Sequence, residues 1–101
     1  MNNQAFSEIQ IWQLKLIGEF SKVQNDLKNQ FSIILEMSNF EISPDINSIL
    51  GEWNPTRRVI RMSAKLFYTQ PFSVIIEIFK HEIAHQIVSE VFQADMHGVS
   101  H

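Results

Sequence analysis

Between Phe6 and Leu27 apolar residues fall at positions 6, 9, 16, 20, 23 and 27, and Trp12, Leu14 and Ile17 widen the stripe. Steps of three, four and seven put these side chains on one face of a 3.6-residue helix. A long amphipathic helix is therefore expected over about Ser7–Asn29. Ser7 would be its N-cap, with Gln10 completing a weak capping box. The stripe could instead face a partner helix, but a small sheet needs a helix to cover it, and core packing is the better reading.

The period then shortens. In "FSIILEMSNFEIS" Phe31, Ile33, Leu35 and Met37 alternate, imperfectly, with Ser32, Ile34, Glu36 and Ser38, which predicts a strand or an irregular extended segment. "SPDINS" reads as a turn, because Pro44 and Asp45 favour turn initiation. "SILGEWNPTRRVIRMS" reads as a β-hairpin, with one arm near Ile49–Trp53, a tip at Asn54-Pro55-Thr56 and a return arm near Arg58–Met62. Adjacent apolar residues Val59 and Ile60 leave open which face of that arm is buried. Ser63 is placed to cap a short helix, "AKLFYT", which Pro71 ends. From Phe72 to about Gln93 the chain is apolar almost all round, as expected of a mostly buried helix. The order of elements is helix, extended segment, hairpin, short helix, buried helix: an α+β pattern with a small antiparallel or mixed sheet.

Composition narrows this without changing it. A chain of 101 residues that is 45% hydrophobic, with eight Phe and two Trp, can fill one core. A net charge of −3 argues against nucleic-acid binding by charge alone, since backbone binding needs a basic excess. The absence of cysteine excludes disulfides and any cysteine metal site in this stretch. Glu8, Lys15 and Glu19 interrupt the apolar N-terminal run, which has no basic leader and no small-residue cleavage site. It reads as neither signal peptide nor membrane span, so a cytoplasmic protein is the default expectation.

The chemistry concentrates in "HEIAH", residues 81–85. On a helix, residues four apart lie about 40° apart on one face, one turn up, so His81 and His85 can direct two imidazoles at one metal ion. Glu82 lies about 100° round from His81, beside the pair, where it can reach a water held by that metal. Catalytic zinc takes three protein ligands and leaves one position open, with a neighbouring carboxylate as base. Val74, Ile78, Val88 and Phe92 fall on the same side of the wheel, so the pair is expected on an apolar, buried stripe. The plainer alternative is two core histidines bonded to backbone carbonyls. A complete HExxH on an apolar helix favours the metal.

The third ligand is open on spacing alone. Val88 and Val91 stand where the extended HExxHxxGxxH pattern needs Gly and His, which excludes that class. Glu90 lies about 140° from His85 and should point elsewhere. Asp95 would have to fold straight back from the helix end. His97 has enough chain to return a side chain, and Gly98 beside it permits a tight turn. His101 is a further candidate.

These residues resemble the SprT-like, Spartan-related family of zinc metalloproteases. "LGEWNPTRRVIRMSAKL" resembles the family's hairpin and short helix, "EIFKHEIAH" its active-site helix, and "HGVSH" its HGxx-aromatic segment. The resemblance implies a zincin-like α+β fold, Zn2+ held by His81, His85 and His97, and Glu82 as general base. It implies a protein or peptide substrate, and DNA as a partner by family analogy only, through Arg57, Arg58, Arg61 and Lys65. His101 stands where the family usually has an aromatic residue, and the family's domain normally runs further. The expectation is thus a single domain over 1–101, truncated at its C-terminus. An exposed hairpin edge near Arg58–Met62 would hold an extended substrate by strand addition. The competing expectation is a non-catalytic zincin-like binding module.

Overall fold

The computed structural model describes residues 4–44 and 50–93, with side chains from residue 8 onward. Asp95, His97 and His101 lie outside the described residues.

Helix α1 spans Gln4–Phe31. It begins before Ser7, which therefore sits inside the helix and is not its N-cap. Its buried face is narrower than the apolar pattern suggests. Leu16 and Phe20 are fully buried, and Val23 and Leu27 pack against the same cluster. Leu14 and Ile17 stay exposed. Leu14 lies about 160° round the helix from Leu16, too far to share its contacts. The helix ends where Ser32 turns left-handed, at φ 57°. Its N–H and that of Ile33 donate back to the carbonyls of Lys28 and Leu27, satisfying acceptors that a helix end otherwise strands.

Residues 32–38 are irregular, and only Asn39–Ser43 forms a strand, β1. The hairpin forms as expected, from β2 (Gly51–Asn54) and β3 (Val59–Ser63). The Asn54 side-chain carbonyl accepts the Arg57 N–H at 3.1 Å across the turn. Strand order is β1-β3-β2, with β1 parallel and β2 antiparallel to β3. The alternating run is a strand only where β3 offers it a partner, since a strand without one leaves its polar backbone unmet.

This order corrects one expectation. The return arm is the central strand, hydrogen-bonded on both sides, so Arg58–Met62 offers no edge to a substrate. Among the described residues the edge of the sheet on the hairpin side is β2, with no further strand beside it. Ser63 N–H donates to Leu50 C=O, which makes residues 50 and 63 a hydrogen-bonded antiparallel pair. The pairs Glu52–Arg61 and Asn54–Val59 share that phase, and the backbone groups of Gly51 and Trp53 consequently point away from β3.

The two-residue side-chain period settles the faces. Phe40, Trp53, Ile60 and Met62 face the helices. On the opposite face Glu41, Arg61 and Glu52 stand in one row across the three strands. Ser63 caps α2 (Ala64–Thr69) as expected, its hydroxyl accepting the Lys65 N–H at 3.3 Å. After Pro71, helix α3 runs Phe72–Ile87 and continues as a π-helical turn over Val88–Phe92. No helix among the described residues is long and apolar enough to cross a membrane.

Helix α3 buries Ile75, Phe79, Glu82, Ile83 and Gln86, a stripe at helical spacing. Phe79 meets Phe20 of α1 and Phe40 of β1 at centroid distances of 6.4 and 5.2 Å, linking helix to helix and to the sheet. Burial of α3 is thus one-sided. Val74, Val88 and Phe92 are exposed, and so are His81 and His85. Of the stripe expected to surround the histidines, Ile78 packs half-buried against the core, while Val74, Val88 and Phe92 do not share that burial. With apolar residues all round, the wheel cannot select a face; the placement of α1 and the sheet does.

Replacing Phe79 with Ala should cost about 3–5 kcal/mol, the usual range for a fully buried aromatic. Urea unfolding at fixed pH measures it through the midpoint and slope.

Candidate active site

The His81 and His85 imidazoles come together on the exposed side of α3. Their Nε2 atoms lie 3.2 Å apart, and the rings are nearly perpendicular, at 86°. Two nitrogen ligands at about 2.05 Å from a tetrahedral zinc are separated by about 3.3 Å. The pair therefore has the bite that zinc requires, already formed, and the donor type suits the metal. Among the described residues no group of three or more His, Cys, Asp or Glu side chains converges. The pair could supply two ligands to a metal ion, and no third side chain joins it among the described residues.

Glu82 points the other way, towards β2. It is 7% exposed and makes no hydrogen bond or ion pair with any described residue. With His85 it lines a cleft of about 440 Å³ walled by Gly51, Glu52, Trp53 and Val88. A carboxylate held by packing, with its oxygens uncommitted at a cleft, is what a proton acceptor needs.

Gly51 makes this placement possible. A Cβ there would lie 3.1 Å from the Met62 sulfur, 3.3 Å from the Arg61 carbonyl oxygen and 3.4 Å from Glu82 Cγ. The β2 backbone approaches α3 through that gap, and the Glu82 methylenes occupy the space a side chain would take. Sequence reading identified Glu82 but not Gly51, because the need for glycine arises from a contact between elements 31 positions apart in the chain.

Beyond His85 a polar network fixes the helix end. Gln86 is fully buried. Its amide accepts from the Ser38 hydroxyl at 2.9 Å and donates to the Glu36 carbonyl at 2.9 Å and to Glu90 at 3.0 Å. Arg58 grips Glu90 through two nitrogens, at 2.5 and 2.9 Å. Glu90 therefore points away from the histidines, as its position on the wheel implied. The Arg58 hydrogen bonds hold the Glu90 carboxyl below the usual carboxylate range, against the opposing effect of burial and with help from Gln86. The same pairing raises Arg58.

The other arginines are also engaged. Arg57 meets Glu41 at 2.8 Å, and Arg61 lies 3.4 Å from Glu41 and 3.6 Å from Glu52. Of the four cations considered for DNA, the three arginines each face a carboxylate of this chain, which lowers the field they present outward.

With that geometry in hand, comparison with known proteins gives one match. The chain fits the SprT-like family over residues 18–101, a span that takes in the second half of α1, the sheet and the whole His81–His85 helix. Neither the curated proteins nor the solved structures contain a match.

Gly51→Ala should lower stability by about 1–2 kcal/mol through overpacking against Met62 and Glu82; denaturant titration reads this directly. The Glu90–Arg58 pair gives a pH signature. A carboxyl lowered in the folded state contributes its full stability above the unfolded value, about 4.3, and loses it as pH falls through the folded value. Urea midpoints followed from pH 7 down to pH 3 should therefore fall more steeply for the native chain than for Glu90→Gln. Parallel curves would show that the pair contributes nothing.

Proposed function

The chain belongs to the SprT-like family, and on that premise we propose that it is a zinc-dependent endopeptidase acting on protein or peptide substrates. The observation that carries the reading is the preformed His81–His85 bite of 3.2 Å beside an uncommitted, buried Glu82. His81 and His85 supply two zinc ligands, and His97 the third by the family's pattern, with His101 the alternative donor. When bound, zinc supplies Lewis-acid activation of water and polarisation of the scissile carbonyl.

The remaining work falls to the chain's own residues. Glu82 accepts the proton of the attacking water on a carboxylate oxygen and returns it to the nitrogen of the departing amine, so no net proton is gained or lost. That Glu82 and His85 line the same cleft supports this role. The open edge of β2 presents the N–H and C=O of Gly51 and Trp53, which can pair with an extended substrate backbone as an added strand. Backbone pairing of this kind recognises chain conformation more than sequence. The Trp53 and Val88 walls would then select among the side chains entering the cleft.

Glu82→Gln keeps the size of the side chain and removes its basicity. It should retain zinc at the native stoichiometry while cleavage of an unfolded protein substrate falls by about 10²-fold or more. Zinc content by elemental analysis and fragment formation on gels give the two readouts. Native-level cleavage by the variant would remove Glu82 from its assigned role. Failure of the unaltered chain to bind zinc would leave the non-catalytic binding module as the better account.

A further inference from the structure

The cleft beside Glu82 carries apolar surface that the proton transfer does not use. Val88, the third residue after His85, borders the cleft and is 44% exposed. Trp53 forms another wall and also packs against the core cluster. Its ring is held in place, because the indole N–H donates to the Ser89 hydroxyl at 2.9 Å and that hydroxyl donates to the Gln86 carbonyl at 3.2 Å. The one N–H of the indole and the one O–H proton of Ser89 are therefore both committed. Trp53, Val88 and Ser89 offer no free side-chain donor to a group that enters. A wall fixed before binding also costs little ordering when it is covered.

Glu52 borders the cleft too, yet strand alternation turns its side chain to the other face of the sheet, where Arg61 lies 3.6 Å away. The same alternation sorts the side chains of a strand added to β2. Side chains level with one another on neighbouring strands project to the same face, whichever way the added strand runs. Trp53 faces the helices together with Phe40, Ile60 and Met62. A substrate residue level with Trp53 therefore turns its side chain into the cleft, and its two neighbours turn away from it. The residue level with Gly51 also faces α3, but Glu82 already fills the gap there, its Cγ 3.4 Å from where a Gly51 Cβ would stand. One position of an extended substrate is thus left to meet Trp53 and Val88.

We propose that Trp53 and Val88 are specificity-determining residues that admit one large apolar side chain, aromatic or branched aliphatic, at the substrate position level with Trp53. The inference rests on the endopeptidase reading above and deepens it. A small side chain at that position leaves the Trp53 and Val88 surfaces in contact with water, whereas a large apolar one covers them. A substrate carboxylate would meet the Glu82 charge with no donor from these walls to offset it. A lysine or arginine would gain a partner only by occupying the acceptor that proton transfer requires.

The test uses the zinc-loaded chain and short peptides of Ala, Ser and Thr that carry one guest residue: Phe, Leu, Ala, Lys or Asp. The Phe and Leu peptides should be cleaved with kcat/KM about 10–100-fold above the Ala peptide, the range expected for filling an apolar pocket. Lys and Asp should do no better than Ala. The cut should keep a fixed distance from the guest and move by one bond when Phe is moved by one residue. Val88→Trp fills the cleft from an exposed position and should lower the Phe-to-Ala ratio of kcat/KM. That ratio, taken within one preparation, does not depend on the fraction of chain that is folded. Binding gives a second readout. Trp12→Phe leaves Trp53 as the sole tryptophan, and adding Glu82→Gln prevents turnover. The Phe peptide should then shift Trp53 emission to the blue and saturate at lower concentration than the Ala peptide. Equal rates for the Phe and Ala peptides, a cut that ignores the guest, or an unchanged ratio in Val88→Trp would overturn the inference, while the cleavage itself upholds the endopeptidase reading. Preferential binding of the Phe peptide without cleavage by the unaltered chain would uphold the pocket and overturn that reading. Neither cleavage nor an emission shift would overturn both.

Discussion

The site depends first on how closely α3 lies against the sheet. Ile75, Phe79 and Ile83 pack in one cluster with Ile60 and Met62 of the central strand, and Leu16 and Phe20 of α1 close the same core. That packing leaves one side of α3 free, and His81 and His85 project there. It presses the adjacent side onto β2, where the absence of a side chain at Gly51 admits Glu82. Moving the helix outward by the width of a methyl group would free the carboxylate and enlarge the cleft. The contrast between the exposed His81–His85 pair and the buried Glu82 is therefore a consequence of core packing.

Charge is arranged with similar economy. The outer face of the sheet carries Arg61 between Glu41 and Glu52, with Arg57 also on Glu41. Pairs of this exposure contribute little stability individually, yet they match the alternation that keeps apolar residues on the helix-facing side. Arg58 and Glu90 differ from these pairs. They are bidentate and joined to the fully buried Gln86. Polar groups in such a network must all be satisfied or the burial is unfavourable, and this makes the end of α3 a fixed point.

The family assignment and the local geometry support each other at different scales. Family membership spans the hairpin and the helix together, and the structure brings those two segments into contact through Gly51–Glu82, Trp53–Ser89 and Arg58–Glu90. An HExxH sequence on an isolated helix can place two imidazoles, but it cannot give the intervening carboxylate a cleft. The hairpin supplies one, together with an open backbone edge at the same place. The proposed recognition and chemistry both draw on this one pair of elements.

Much of this was legible in the residues alone. The 3.6-residue spacing of Leu16, Phe20, Val23 and Leu27 determines α1, the turn chemistry of Asn54-Pro55 determines the hairpin, and Ser63 and Pro71 delimit α2. The i, i+4 relation of His81 and His85 fixes their approach, because helix geometry is local and needs no partner. Tertiary structure alone decided the rest. A helix apolar on every side does not reveal which face is buried, and α3 exposes the histidine face that its composition suggested was core. An alternating run does not reveal its partners, and so β3 became the central strand and β2 the edge. The value of Gly51, the left-handed Arg58 and the π-helical turn arises from contacts between segments about 30 residues apart, for which sequence carries no periodic signal. Local periodicity wrote the elements, and close packing between them chose which residues meet at the site.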